Sequence, residues 1–143
     1  VAVVARFGFG TDAEEAIPVA CLAGDAVGDC LALRDGATGT GRWRVTRADP
    51  ALDARMPALG VLVRKDTPTT GLMQRVGLVR GLFAGLNPAR PVWVGLDGRP
   101  TQTCPWSDAG AVIIQRFGAP IAADVLFLTG EIGPLTKRAM AET

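Results

Sequence analysis

Two Asp-Gly dipeptides, Asp35-Gly36 and Asp97-Gly98, each close a short apolar run. They constrain the chain more than any other feature. Asp-Gly between apolar runs signals a β-hairpin, because a type I′ turn needs positive φ at both central residues and these two types tolerate it. The second dipeptide ends the stretch Arg80–Pro100, which reads as a strand end, a turn at Asn87-Pro88, a strand Val92–Leu96 and the Asp-Gly turn. A weaker copy of the same order runs from Gly24 to Gly36. With 18 Gly and 10 Pro in 143 residues, the composition suits many turns and short strands and argues against a helix bundle.

The remaining runs follow suit. Ile17–Leu22, Cys30–Leu33, Leu59–Val63, Leu72–Leu82, Ala111–Phe117 and Asp124–Leu128 read as strands, with a turn over Lys65–Gly71 and a break at Gly118-Ala119-Pro120. Ala48–Met56 has no clean period and reads as a loop or short helix. Arg42–Arg47 alternates charged and apolar residues, which predicts Trp43 and Val45 facing inward and Arg42, Arg44 and Thr46 facing solvent. The order strand, Asp-Gly, strand, Gly, strand occurs twice, with Asp35 and Asp97 62 residues apart and Gly60 and Gly118 58 apart. The expectation is an all-β fold, a compact β-barrel or sandwich of about ten short strands with a pseudo-duplicated half. Its seam falls between Leu82 and Gly85. An apolar N-terminal arm (1–16) precedes the barrel domain (17–131), and a polar C-terminal tail (132–143) follows it. The arm is either an ordinary first strand or a segment that pairs with a neighbouring chain.

The chain has no His and no Tyr. That removes the commonest general base, the commonest metal ligand and every Ser-His or Cys-His nucleophile. Cys21, Cys30 and Cys104 form no even framework and no Cys-x-x-Cys pair, so three reduced, mostly buried thiols are expected. Asp25 and Asp29 share a turn and offer oxygen ligands to a hard cation, but turn formation is the simpler role. Gly8-Phe9-Gly10 lacks the third glycine and the following helix of a phosphate-binding loop. The formal charge of +1 gives no field for nucleic acid or membrane, and no 18-residue apolar run spans a bilayer. Arg42-Trp43-Arg44 is read as a solvated strand face, or one set against an acidic neighbour, ahead of a nucleic-acid contact. Neither catalysis nor a cofactor is expected.

Four segments carry a resemblance: Gly24–Leu33, Met56–Val63, Gln74–Leu82 and Leu86–Pro100. Together they resemble small head-surface proteins of tailed bacteriophages and phage-derived gene transfer agents, of the capsid-decoration and head-spike-base type. The resemblance implies a β-barrel body, a homo-oligomer, and a virion location on the head surface after assembly in the host cytoplasm. It implies as partners the major capsid protein, a head fibre protein, or both, with no nucleic acid and no membrane. Candidate contact residues are Val3, Val4, Phe7 and Phe9 of the arm, Arg42 and Arg44, and the loop residue Trp106. A different class remains open: a small β-barrel module that stacks carbohydrate or another ligand on Trp43, Trp93 and Trp106. In that comparison Trp43 and Trp93 are expected in the core and Trp106 on a loop.

Overall fold

The computed structural model describes residues 16–34, 43–105, 110, 113–129 and 135–137. Within them the fold is all-β. The first five strands are β1 (Ala16–Ala20), β2 (Cys30–Leu33), β3 (Trp43–Arg47), β4 (Gly60–Thr67) and β5 (Thr70–Gln74). They close a barrel in the order β1-β3-β2-β4-β5, sealed by the antiparallel β1–β5 ladder from Ala16↔Gln74 to Ala20↔Thr70 and by a parallel β1–β3 contact. A single 3-10 turn, Asp53–Arg55, interrupts the connection from β3 to β4.

The second unit contains β6 (Val76–Arg80), β7 (Trp93–Val94), β8 (Pro100–Thr101), β9 (Ile113–Gln115), β10 (Ala119–Ala122) and β11 (Val125–Thr129). β12 (Leu135–Lys137), inside the stretch read as a tail, pairs with β9. The duplication is visible in the pairing order. β1-β5-β4 recurs as β6-β11-β10, and the β2–β3 hairpin recurs as β7–β8. The β2–β4 contact Leu31↔Gly60 recurs as the bridge Trp93↔Arg116, 62 and 56 residues further on. In the pairing, then, the counterpart of Gly60 is Arg116 rather than Gly118. Gly118 instead splits the second copy of β4 into β9 and β10, with φ +73 and a position where a Cβ would lie 2.8 Å from the Phe127 carbonyl oxygen. Among the described residues no β6–β8 contact repeats the β1–β3 closure, so the second unit stays open.

Two cores share one wall. Val19, Cys21, Leu31, Val45, Leu62 and Met73 fill the barrel. Cys30, Ala32 and Val61, from the opposite faces of β2 and β4, pack with Val79, Val92, Val94, Phe117, Leu126 and Leu128 of the second unit. Burial on both faces is why Cys30–Leu33 and Gly60–Val63 are continuous apolar runs rather than alternating ones.

Several details differ from the sequence expectations, each for a local reason. The strand expected over Leu72–Leu82 breaks at Arg75, so the seam between units lies there and not at Leu82–Gly85. β4 and β5 extend to Thr67 and Thr70, which leaves Pro68-Thr69 as the turn. The Asp97-Gly98 turn is not type I′. Gly98 N donates to Gly95 O (2.8 Å) and Gly95 N to Arg99 O (2.9 Å), with positive φ at Gly98 alone (+80). This is a three-residue loop with a left-handed glycine closing it. Thr46, expected in solvent, is buried because its hydroxyl donates to the buried Asp25 carboxylate (3.0 Å). Trp93, expected in the core, is half-buried, since its neighbours Val92 and Val94 take the inward positions of the strand. The Asp35-Gly36 turn lies outside the described residues.

A buried amide locks the units together. Gln115 is 1% exposed; its Oε1 accepts from Ala58 N (2.8 Å) and its Nε2 donates to Ala58 O (2.9 Å). It thereby completes the backbone of the segment entering β4. Gln115→Ala leaves a buried N–H and C=O without partners, so a loss of about 2–4 kcal/mol is expected, read as a lower urea midpoint with an unchanged slope.

Candidate functional site

The turn between β1 and β2 is built on carboxylates. Asp25 accepts from Leu22 N (2.8 Å), Arg47 N (3.0 Å) and the Thr46 hydroxyl, and Asp29 accepts from Ala26 N (2.8 Å). Both side chains thus satisfy backbone donors of the turn and β3, and among the described residues no group of three metal-ligating side chains converges. Lys65 closes the turn from β4, its Nζ donating to Leu22 O (3.3 Å), Ala23 O (3.3 Å) and Asp25 O (2.6 Å). A compact ammonium meets three converging carbonyls where a planar guanidinium does not. Lys65 is one of two lysines in a chain of 15 basic residues.

Burial pushes the Asp29 carboxyl above its ordinary value, partly offset by the Ala26 N–H and by Arg47 and Arg99; Asp25 adds to the rise. The folded state therefore holds a proton to higher pH than the unfolded state does. Stability falls as pH rises through the folded-state pKa of Asp29 and levels off above it. Asp29→Asn cannot titrate, so its stability should decline less between about pH 4 and 7. Urea denaturation across that window measures the slopes, and equal slopes would remove Asp29 from this account.

Cys21 and Cys30 are buried free thiols. Burial raises the thiols of Cys21 and, more strongly, Cys30, which keeps them protonated and poor nucleophiles. Cys104 is half-buried.

Among the described residues, large apolar side chains are exposed at Leu22, Val27, Leu52 and Leu96 and, in the β10-β11-β6 sheet, at Ile121 and Phe127. Leu126, Leu128 and Val79 point into the shared core, so Phe127 and its partner Leu78 point away from it. Phe127 is 37% exposed, and Ile121, the bulged residue of β10, is 55% exposed. Val76 and Leu78 are half-buried on the same side, and Ala119, opposite Phe127, is exposed.

Both edges of this sheet are blunted. Gly81 N donates to Asp124 O (2.9 Å), a spacing that turns the backbone groups of Gly77 and Val79 toward β11 and those of Val76 and Leu78 outward. There the buried Gln74 side chain intervenes, its Nε2 donating to Val76 O and Leu78 O (3.0 Å each). At the opposite edge the same alternation turns Pro120 outward, and proline has no N–H to offer. Strand addition is thus disfavoured on both sides, while Phe127 and Ala119 stay exposed on the face.

Of the residues singled out from sequence, Arg44 lies exposed on β3, opposite Ala20 of β1. Val3, Val4, Phe7, Phe9, Arg42 and Trp106 lie outside the described residues. Trp43 packs against the barrel core with the Arg75 guanidinium 5.8 Å from its ring centre. Trp93 carries Arg116 at 6.0 Å. Each ring therefore has a guanidinium near it, at cation–π distance. Phe127 sits in a run that reads as plain core strand, where Leu126-Phe127-Leu128 is apolar at every position, whereas Ile121 belongs to β10, a strand that forms where the sequence reads as a break at Gly118-Ala119-Pro120. No family model matches the chain, and neither does any curated protein or solved structure.

Proposed function

We propose that this chain is a structural protein of a virus-like particle, placed on the head surface as a decoration or spike-base component. In this reading it assembles with copies of itself and binds the capsid shell, a fibre subunit, or both. The observation that carries the proposal is the partly exposed apolar face of β10-β11-β6 between two blunted edges. A sheet so arranged meets partners through side chains over a defined area and resists open-ended strand pairing. The resemblance of Gly24–Leu33, Met56–Val63 and Leu86–Pro100 to phage head-surface proteins supports the same reading. Weak contacts suffice for this role, since repetition over a symmetric shell multiplies them.

Purified particles from the source cell test it directly. Mass spectrometry should detect the chain in intact particles, and electron microscopy should place its density outside the shell. Particles that lack it, or density confined to a soluble complex, overturn the proposal. Phe127→Glu places a charge on that face at an exposed position. The variant should melt within a few degrees of the parent and yet be depleted from particles at least about tenfold, as expected when a hot-spot aromatic is lost.

A further inference from the structure

The outward edge of β10 is flanked by the segment 86–92, which is hydrogen-bonded to the chain just before and just after the strand. Leu86 N donates to Ala123 O (3.0 Å), and Phe117 N donates to Val92 O (2.9 Å). Between these anchors the two stretches of backbone splay apart. They leave a groove of about 280 Å³ lined by Pro88, Ala89, Arg90 and Pro91 on one side and by Arg116, Gly118, Ala119 and Pro120 on the other. Proline explains the splay: Pro88, Pro91 and Pro120 have no N–H, so the ladder cannot zip closed.

The groove is held rigid without regular structure. The Gln102 side chain accepts from Asn87 N (2.8 Å) and donates to Asn87 O (2.8 Å) and Arg90 O (3.0 Å). Asn87 Oδ1 accepts from Ala89 N (2.9 Å), and Arg90 N donates to Asn87 O (3.0 Å). On the facing side, Arg116 lies over the Trp93 ring. At 6.0 Å from the ring centre, the guanidinium is within cation–π range of Trp93, which favours its staying beside the groove. Arg90 and Arg116 are both exposed, and among the described residues no carboxylate lines the groove.

We infer that this groove is a binding site for a short, extended acidic peptide segment of a partner protein. A carboxylate pairs with the Arg116 and Arg90 guanidinium groups, while apolar atoms of the segment lie against the proline rings. Charge selects the occupant: two cations line the groove, and among the described lining residues no anion competes. The chemistry of the walls selects a peptide over nucleic acid. A phosphate backbone needs an extended basic track, whereas here two guanidinium groups stand among proline rings in a chain of net charge +1. The volume is just below the range of pockets that enclose a whole small ligand, so it suits one or two side chains of a longer segment. Because the loop is already pinned, little ordering opposes binding.

The test uses the full chain, ¹⁵N-labelled, titrated with hexaglutamate blocked at both ends. The expected result is saturable movement of the Trp93 indole N–H and Arg116 Nε–H signals, with hexaglutamine inert. Arg116→Gln and Arg90→Gln should each weaken binding about tenfold or more, the scale of a lost charge-assisted hydrogen bond. Arg116→Lys, which keeps the charge but loses the fork, should retain part of the affinity and shows that the fold is intact. Movement of those signals by acetate at equal carboxylate concentration, or binding indifferent to both substitutions, overturns the inference. So does tighter binding of a single-stranded oligonucleotide, or self-association abolished by Arg90→Gln with hexaglutamate inert, which would assign the groove to a second copy. The titration concerns the isolated chain, so its failure leaves the particle location untouched.

Discussion

The wall formed by β2 and β4 is the constraint on which the rest of the structure depends. Leu31 and Leu62 face the barrel, while Cys30, Ala32 and Val61 face the second unit. Neither core is complete without this wall. The second unit is an open array, and Val79, Val92, Val94, Leu126 and Leu128 find apolar cover against it. Small residues such as Cys30, Ala32 and Ala58 allow the two units to approach closely, and the larger side chains of the second unit fill the space between.

Three glutamines finish what the strands leave undone. Gln115 pairs with both backbone groups of Ala58, Gln74 covers the outward carbonyls of β6, and Gln102 pins the loop from Asn87 to Arg90. In each case a side-chain amide, with donor and acceptor on one planar group, stands in for a missing strand. Glutamine tethers backbone that cannot join a ladder, and this lets short strands of two to five residues persist in the second unit.

The all-β class and the twofold order were legible because they rest on local signals. The Asp97-Gly98 turn and unbroken apolar runs such as Cys30–Leu33 mark short strands, whereas the spacing of Gly60 and Gly118 misplaced the second copy, in which Arg116 is the counterpart of Gly60. What was hidden depends on residues far apart in the chain. Gln115 is 57 residues from its partner Ala58, and nothing near it announces burial. Thr46 reads as a solvent-facing residue until Asp25, 21 residues away, is placed beside it. The exposed Phe127 and the groove beside Pro120 escaped for opposite reasons: one lies in a uniformly apolar strand, and the other is created by prolines that read simply as breaks. The shift of the seam to Arg75 has the same origin, since Leu72–Leu82 is apolar on both sides of the break.

The shared wall also bears on the order in which the chain is synthesised. The barrel strands end at Gln74, so they emerge from a ribosome before most of the second unit has been made. Until Leu126 and Leu128 arrive, the outer side of β2 and β4 is an uncovered apolar surface. Nascent chains in that interval present a sticky intermediate, whose lifetime is set by how soon the second unit follows.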